Sequence, residues 1–130
     1  MRLAFALALA LACILSKAAD PIPPQLVGIW VSETAPRSSE GNRTNVYLGA
    51  DGVGAIVAGS PPIGFKILAT FNATTNAVDF DAYEGKTRGF HGQLRYDPKE
   101  KTLDFATHRD VMRRKSETFS ERDRKEIGLQ

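Results

Sequence analysis

The sequence predicts an all-β fold, an eight-stranded up-and-down antiparallel barrel. Three observations carry this. Eight segments between residues 25 and 119 are rich in apolar and β-branched residues, most of them alternating apolar with polar side chains. Each spans roughly five to eight residues and is set off by Gly, Pro, Asn, Asp or Ser. Little of this stretch repeats apolar residues at helical spacing. Short strands at regular intervals, joined by turns, are what a meander closing on itself needs.

What precedes them is of another kind. Residues 1–18 carry one early charge, Arg2, then an apolar run over residues 3–15, then small residues at Ser16 and Ala18. That order reads as a secretory signal peptide cut after Ala18, which implies a secreted or periplasmic protein. The run is about 13 residues, whereas a membrane span needs about 20. Cys13 is the only cysteine and lies inside it. A lipid-attachment cysteine prefers a leucine where Ala10 stands, and the run continues past it, so Cys13 reads as leader and not as an anchor. The remaining domain then has no thiol, no disulfide and no cysteine metal site.

The leader also carries the apparent basicity. The chain has 17 Lys and Arg against 15 Asp and Glu; without Arg2 and Lys17 the balance is 15 to 15. A neutral domain has no general attraction for nucleic acid or membrane.

Residues 19–24 form a Pro-rich linker, since Pro21, Pro23 and Pro24 lack amide donors and restrict what precedes them. The barrel domain spans residues 25–119. Its first strand, "QLVGIWVS", points Leu26, Gly28 and Trp30 one way and Val27, Ile29 and Val31 the other. After a polar loop, residues 33–43, comes "TNVYLGADGVGAIVAG", a hairpin turning on Asp51-Gly52. A second loop, residues 60–64, leads to "FKILATFN", in which Phe65, Ile67, Ala69 and Phe71 share a face. Val78, Phe80 and Ala82 do so in "VDFDAY", and Phe90, Gly92, Leu94 and Tyr96 in "RGFHGQLRY". Pro98 suits a turn before "TLDFAT", where Leu103 and Phe105 lie together, and "VMRRKSETF" is the last strand. Residues 120–130 are a highly charged tail, expected to be frayed and solvated, with a short helix laid on the barrel as the alternative.

Gly28-x-Trp30 at the head of an eight-stranded meander resembles the lipocalin and calycin barrels. The stretch "YDPKEKTL" followed by "MRRKS" is similar to small bacterial lipocalin-like domains. The likeness covers most of residues 25–118, but its motif is two residues. It implies that Trp30 lies across the closed end of the barrel and that an arginine near the last strand, Arg113 or Arg114, packs against it. A guanidinium over an indole face would be worth about 0.5–2 kcal/mol. An 18-residue leader leaves about 112 residues of the 130, short for a lipocalin, so the barrel should be narrow or its cup shallow. Avidin-like relatives line a biotin site with several tryptophans, and one is present here. Biotin is not expected.

Eight strands enclose room for side chains alone or for one small ligand. The inward set is Leu26, Trp30, Val53, Val57, Phe65, Ile67, Phe71, Val78, Phe80, Phe90, Leu94, Leu103 and Phe105. The leading expectation is a binding protein for a small apolar ligand held by Val57, Ile63, Phe65, Ile67, Phe71, Phe80 and Phe90. The loops of residues 33–43 and 60–64 would frame the mouth. Small residues at Gly54, Ala55, Ala69, Ala82 and Gly92 favour a hollow barrel. The alternative is a filled barrel acting as a protein-interaction module, such as an envelope inhibitor or immunity protein, through the loop of residues 34–43.

Catalysis has weaker grounds. Asp79 and Asp81 share a face, as acid–base pairs and calcium sites do, but an outward pair on a strand reads as solvated charge. A zinc site would need both histidines, His91 and His108, with Asp104 or Asp110. The His108-Arg109-Asp110 triplet echoes a kinase loop without its phosphate-binding glycines, and reads as a polar turn. No catalytic set, metal or cofactor is expected. A histidine facing a cleft beside Asp79, Asp81 or Asp104 is the arrangement that would favour an enzyme. Asn42 and Asn72 begin glycosylation triplets, usable only in a eukaryotic secretory pathway.

Overall fold

A computed structural model describes residues 22–33, 44–59 and 63–129. The leader with Cys13, residues 19–21 of the linker, Asn42 and the loops of residues 34–43 and 60–62 lie outside the described residues. The strands are β1 (Gly28–Ser32), β2 (Asn45–Leu48), β3 (Val53–Ala58), β4 (Ile63–Asn72), β5 (Ala77–Glu84), β6 (Thr87–Asp97), β7 (Thr102–Phe105) and β8 (Met112–Ser116). Each pairs antiparallel with the next, and β8 returns to β1, so the sheet is a closed up-and-down barrel. Among the described residues no helix is long and apolar enough to cross a membrane.

Turn chemistry sets the short connections. Gly52 takes φ +84° in the β2–β3 turn, where the Asp51 carboxylate accepts from the Val53 amide at 3.1 Å. Asn72 caps the β4–β5 turn the same way, accepting from Thr74, and Asn76 adopts φ +53°. Asp97 accepts from the Lys99 and Glu100 amides before β7. These three turns lie at one end of the barrel, the closed end. The β1–β2, β3–β4, β5–β6 and β7–β8 connections leave from the other, the open end.

Trp30 anchors the closed end. It is 1% exposed, its indole N–H donates to the Leu26 carbonyl at 3.0 Å, and its ring meets Tyr96 edge-on at 6.2 Å. The Leu26 amide in turn donates to the Pro23 carbonyl. This turn folds residues 22–27 over the barrel floor, so β1 begins at Gly28 and Leu26 is buried from a turn, not from a strand. Arg114 stands opposite Trp30 on β8. Its guanidinium donates from Nε to the Val27 carbonyl at 3.0 Å and from Nη2 to the Pro24 carbonyl at 2.7 Å. The arginine therefore closes the floor by holding backbone carbonyls. Among the described residues the cation–π contact is a different one, Arg124 over Phe119. Arg113 points to solvent and pairs with Glu33 at 3.1 Å. Gly28 sits at φ +136°, and a Cβ there would lie 2.0 Å from the Ser116 carbonyl oxygen, so β1 and β8 meet where only glycine fits.

Alternation fills the interior in β4, β5 and β6 as expected. Ile67, Val78, Phe80, Ala82 and Leu94 are all buried to within 1%. On β3 the expected facing of Val53 and Val57 is corrected. Ile56 opposes Val46 and Gly54 opposes Ile67, and these turn inward; Val57 opposes Gly64 on the outer face. The reason is a second apolar layer. Tyr47 and Ala55, on the outer face of β2 and β3, are covered by Phe119, Ile127 and Leu129. With both faces apolar, alternation disappears from the sequence.

The cover is the charged tail, which is a docked strap and not a frayed end. Its helix α1 (Glu121–Glu126) starts at Ser120, whose hydroxyl accepts from the Asp123 amide while Asp123 accepts from the Ser120 amide. Arg124 lies over the Phe119 ring at 5.2 Å and reaches Asp51 at 2.9 Å. Gly128, at φ +79°, ends the helix, with its amide on the Lys125 carbonyl and the Leu129 amide on that of Arg124.

Trp30→Ala should destabilise the domain by about 3–5 kcal/mol in urea unfolding, since the site cannot collapse under the floor turn; a loss under about 1 kcal/mol would contradict its role. The strap should loosen in acid. The hydrogen bond from Arg124 holds the Asp51 carboxyl below the usual carboxylate range, and Ser120 does the same for Asp123. Both carboxyls ionise more readily folded than unfolded. Their contribution is therefore full above about pH 4 and is lost as pH falls through the lower folded values. The Phe119 and Leu129 resonances should lose their packed-state shifts over that window. Asp51→Asn should weaken docking by about 0.5–1 kcal/mol at neutral pH, as suits a half-exposed ion pair.

Candidate functional site

Three aromatic rings step up the inside of the barrel towards the open end. Phe80 on β5 is 1% exposed. Phe90 on β6 meets it edge-on at 5.9 Å and meets Phe65 on β4 edge-on at 5.5 Å. Phe65 is half-buried, Phe90 is 43% exposed, and Ile63, at the start of β4, is 57% exposed. The site is thus an apolar rim over an aromatic floor.

Phe80 plugs the barrel beneath that rim. Its partner across the β5–β6 ladder is Gly92, and a Cβ on Gly92 would fall 2.4 Å from the Phe80 ring. The glycine leaves no hollow, because the neighbouring ring occupies its space. Gly54 is filled likewise, with a Tyr47 carbonyl oxygen 1.9 Å from where its Cβ would stand. Ala55 lies on the outer face beneath the strap. Around Phe80, Trp30, Ile67, Leu94, Leu103 and Met112 are wholly buried.

The expected ligand-binding residues therefore divide by position. Ile63, Phe65, Phe80 and Phe90 gather at the open end. Ile67 is in the middle of the core, and Phe71 packs near the β4–β5 turn at the closed end. Val57 lies outside, in a depression of about 440 Å³ that it shares with Lys66, Tyr83, Ile127 and Leu129. The ends of β1, β2, β3 and β4 that carry the two framing loops do face the open end; the segments of residues 34–43 and 60–62 lie outside the described residues.

A polar cluster covers the outer wall of the same strands. His91 Nδ1 lies 3.0 Å from Asp81, which also takes Arg88 at 3.3 Å, and Gln93 donates to Asp79 at 2.9 Å. His91 and both aspartates line a depression of about 250 Å³ with Leu68, Thr70 and Asp51. Here a histidine does face a cleft beside Asp79 and Asp81. The contact can orient the imidazole, but the side chains are 56% and 36% exposed and the carboxylate is shared with Arg88. Water has free access, so the site lacks the dry surroundings that give a positioned base its strength. His108 is far from this pair in role: it stacks on Phe105 at 4.9 Å. Asp104 and Asp110 are joined instead by a hydrogen bond from the Asp110 amide, and Ser32 donates to the Asp110 carboxylate. Among the described residues no three His, Cys, Asp or Glu side chains are grouped to hold a metal.

The sequence names the aromatic residues but not their heights in the barrel. It also misses the Ser32–Asp110 link, which no local pattern announces. No protein-family model matches the chain, and neither a curated protein nor a solved structure matches it.

Proposed function

We propose that this protein is a secreted or periplasmic, lipocalin-like binding module whose filled barrel presents Ile63, Phe65 and Phe90 to apolar side chains of a protein partner. The observation that carries this is the plug. A ligand seated within the barrel would have to displace Phe80, whereas the rings above it are already open to solvent. Adjacent exposed apolar side chains at one end of a domain mark a contact surface more than a scatter of single ones does. Secretion rests on the leader-like residues 1–18. A second reading, a small apolar ligand lying across the rim, is favoured by the edge-to-face pair of Phe65 and Phe90, which leaves ring faces uncovered.

Native mass spectrometry of the mature protein purified from its host separates the two. The expected result is a bound protein whose occupancy drops at least about tenfold in Phe90→Asp and Ile63→Asp, as for central contact residues. Bound mass of a few hundred daltons, lost in the same variants, would establish the small-ligand reading. Occupancy unchanged in both variants would remove the rim from either.

A further inference from the structure

The upper half of β6 is a strand edge without a neighbour. β6 pairs with β5 from Thr87 to Arg95, but with β7 only from Leu94 to Asp97. One more bond follows, from the Ala106 amide to the Gln93 carbonyl at 2.9 Å. Two bonds fix which backbone groups face which side. The Tyr96 amide donates to Asn76, the residue leading into β5, while the Gln93 carbonyl accepts on the β7 side. Backbone direction repeats every second residue in a strand, so His91 turns its N–H and C=O to the β7 side, as Gln93 does. Among the described residues nothing meets them.

The adjoining loop is tied elsewhere. The Asp110 amide donates to Asp104 at 2.6 Å, Ser32 donates to the Asp110 carboxylate, and the Glu33 amide donates to the Val111 carbonyl at 2.8 Å. These bonds draw the β7–β8 loop towards β1 and leave the β6 edge uncovered. The edge is also easy to approach. Gly89, at the register shift between β5 and β6, and Gly92 carry no side chains, as suits close contact with a second backbone.

We propose that this edge, centred on His91, receives an extended segment of the partner as an added strand. This rests on the protein-binding reading above and supplies its mode. Alternate side chains of the added strand would turn inward beside Phe90 and outward beside Arg88 and His91. Lys86 and Arg88 stand on the β5–β6 hairpin and Arg109 on the neighbouring loop, while the acids around them are engaged or turned away: Asp81 holds Arg88 and His91, Asp79 takes Gln93, Asp104 takes the Asp110 amide, Asp110 takes Ser32, and Glu84 lies on the far strand. The partner segment is therefore apolar on one face and acidic on the other.

The test is an amide-resolved NMR titration of the mature protein with three synthetic peptides: alternating valine and glutamate, alternating valine and lysine, and the first with alternate amides N-methylated. His91→Pro removes an edge donor that no barrel bond uses, and prolines are accepted at such positions. His91→Ala removes the ring and keeps the donor. Expected are shifts and exchange protection over Arg88–Gln93 with the glutamate peptide, within about threefold of wild-type affinity in His91→Ala and weakened at least about tenfold in His91→Pro. Equal binding by His91→Pro, by the N-methylated peptide or by the lysine peptide would overturn the proposal, as would no binding by any peptide near about 1 mM, an affinity of about −4 kcal/mol. Shifts confined to Ile63 and Phe65 would also overturn strand addition while leaving the apolar rim as the binding site.

Discussion

Closure of this barrel depends on one knot, Trp30 to the Leu26 carbonyl and Arg114 to the carbonyls of Val27 and Pro24. The seams that complete the ring are short. β7 and β8 share two register pairs, and the β1–β8 pairing shifts between Ile29 and Trp30. So few ladder bonds cannot alone hold a sheet shut against its own twist. Trp30 fills the floor and fixes the turn above it. Arg114 then ties the Val27 and Pro24 carbonyls of that turn to β8 with charge-assisted bonds at the partly exposed base of the barrel. Arg114 depends on Trp30, because its acceptors are brought into place by the turn that Trp30 holds.

That dependence explains what could and could not be read in advance. The pairing of Trp30 with a late arginine was legible as a motif; its chemistry was not, since the carbonyls belong to a turn formed by tertiary contact. β4, β5 and β6 were legible because each keeps one wet face, so Phe80 and Asp79 alternate as side chains must. β3 was misread at Val53 and Val57 because the strap dries its outer face as well. The strap left its own traces, a capping box at Ser120 and Asp123 and a terminal Gly128, beneath a charge density that suggested solvation. The site was legible by residue type only. Sequence alternation gives a side chain's face, but its height along the barrel is set by turn lengths, which is why Phe71 fell at the wrong end and Asp81 met His91 unannounced.

Small residues behave differently in a narrow barrel than their volume suggests. Gly92 and Gly54 lie across the ladder from Phe80 and from a β2 backbone, so the space they give up is taken at once. Dense interiors leave few voids larger than a water molecule. The fold gains a core that a short chain would otherwise struggle to build, and it loses the cup that a wider barrel could keep.

The two ends of the barrel therefore carry opposite chemistry. At the closed end the strong donors and acceptors are matched: Trp30 and Arg114 donate to carbonyls, the turn-forming aspartates accept from amides, and no buried side-chain polar atom among the described residues lacks a partner. At the open end the core stops just above Phe80, at Ile67 and Ala82, and the strands run on past it. Everything above that level, the rings of Phe65 and Phe90 and the backbone of His91, has been lifted out of the core by strand length alone. β5 and β6 are long where β7 is short, and the Ser32–Asp110 link keeps the intervening loop from making up the difference. On the proposed reading, a fold that neutralises one end and leaves apolar surface beside an unpaired edge at the other offers a partner the second.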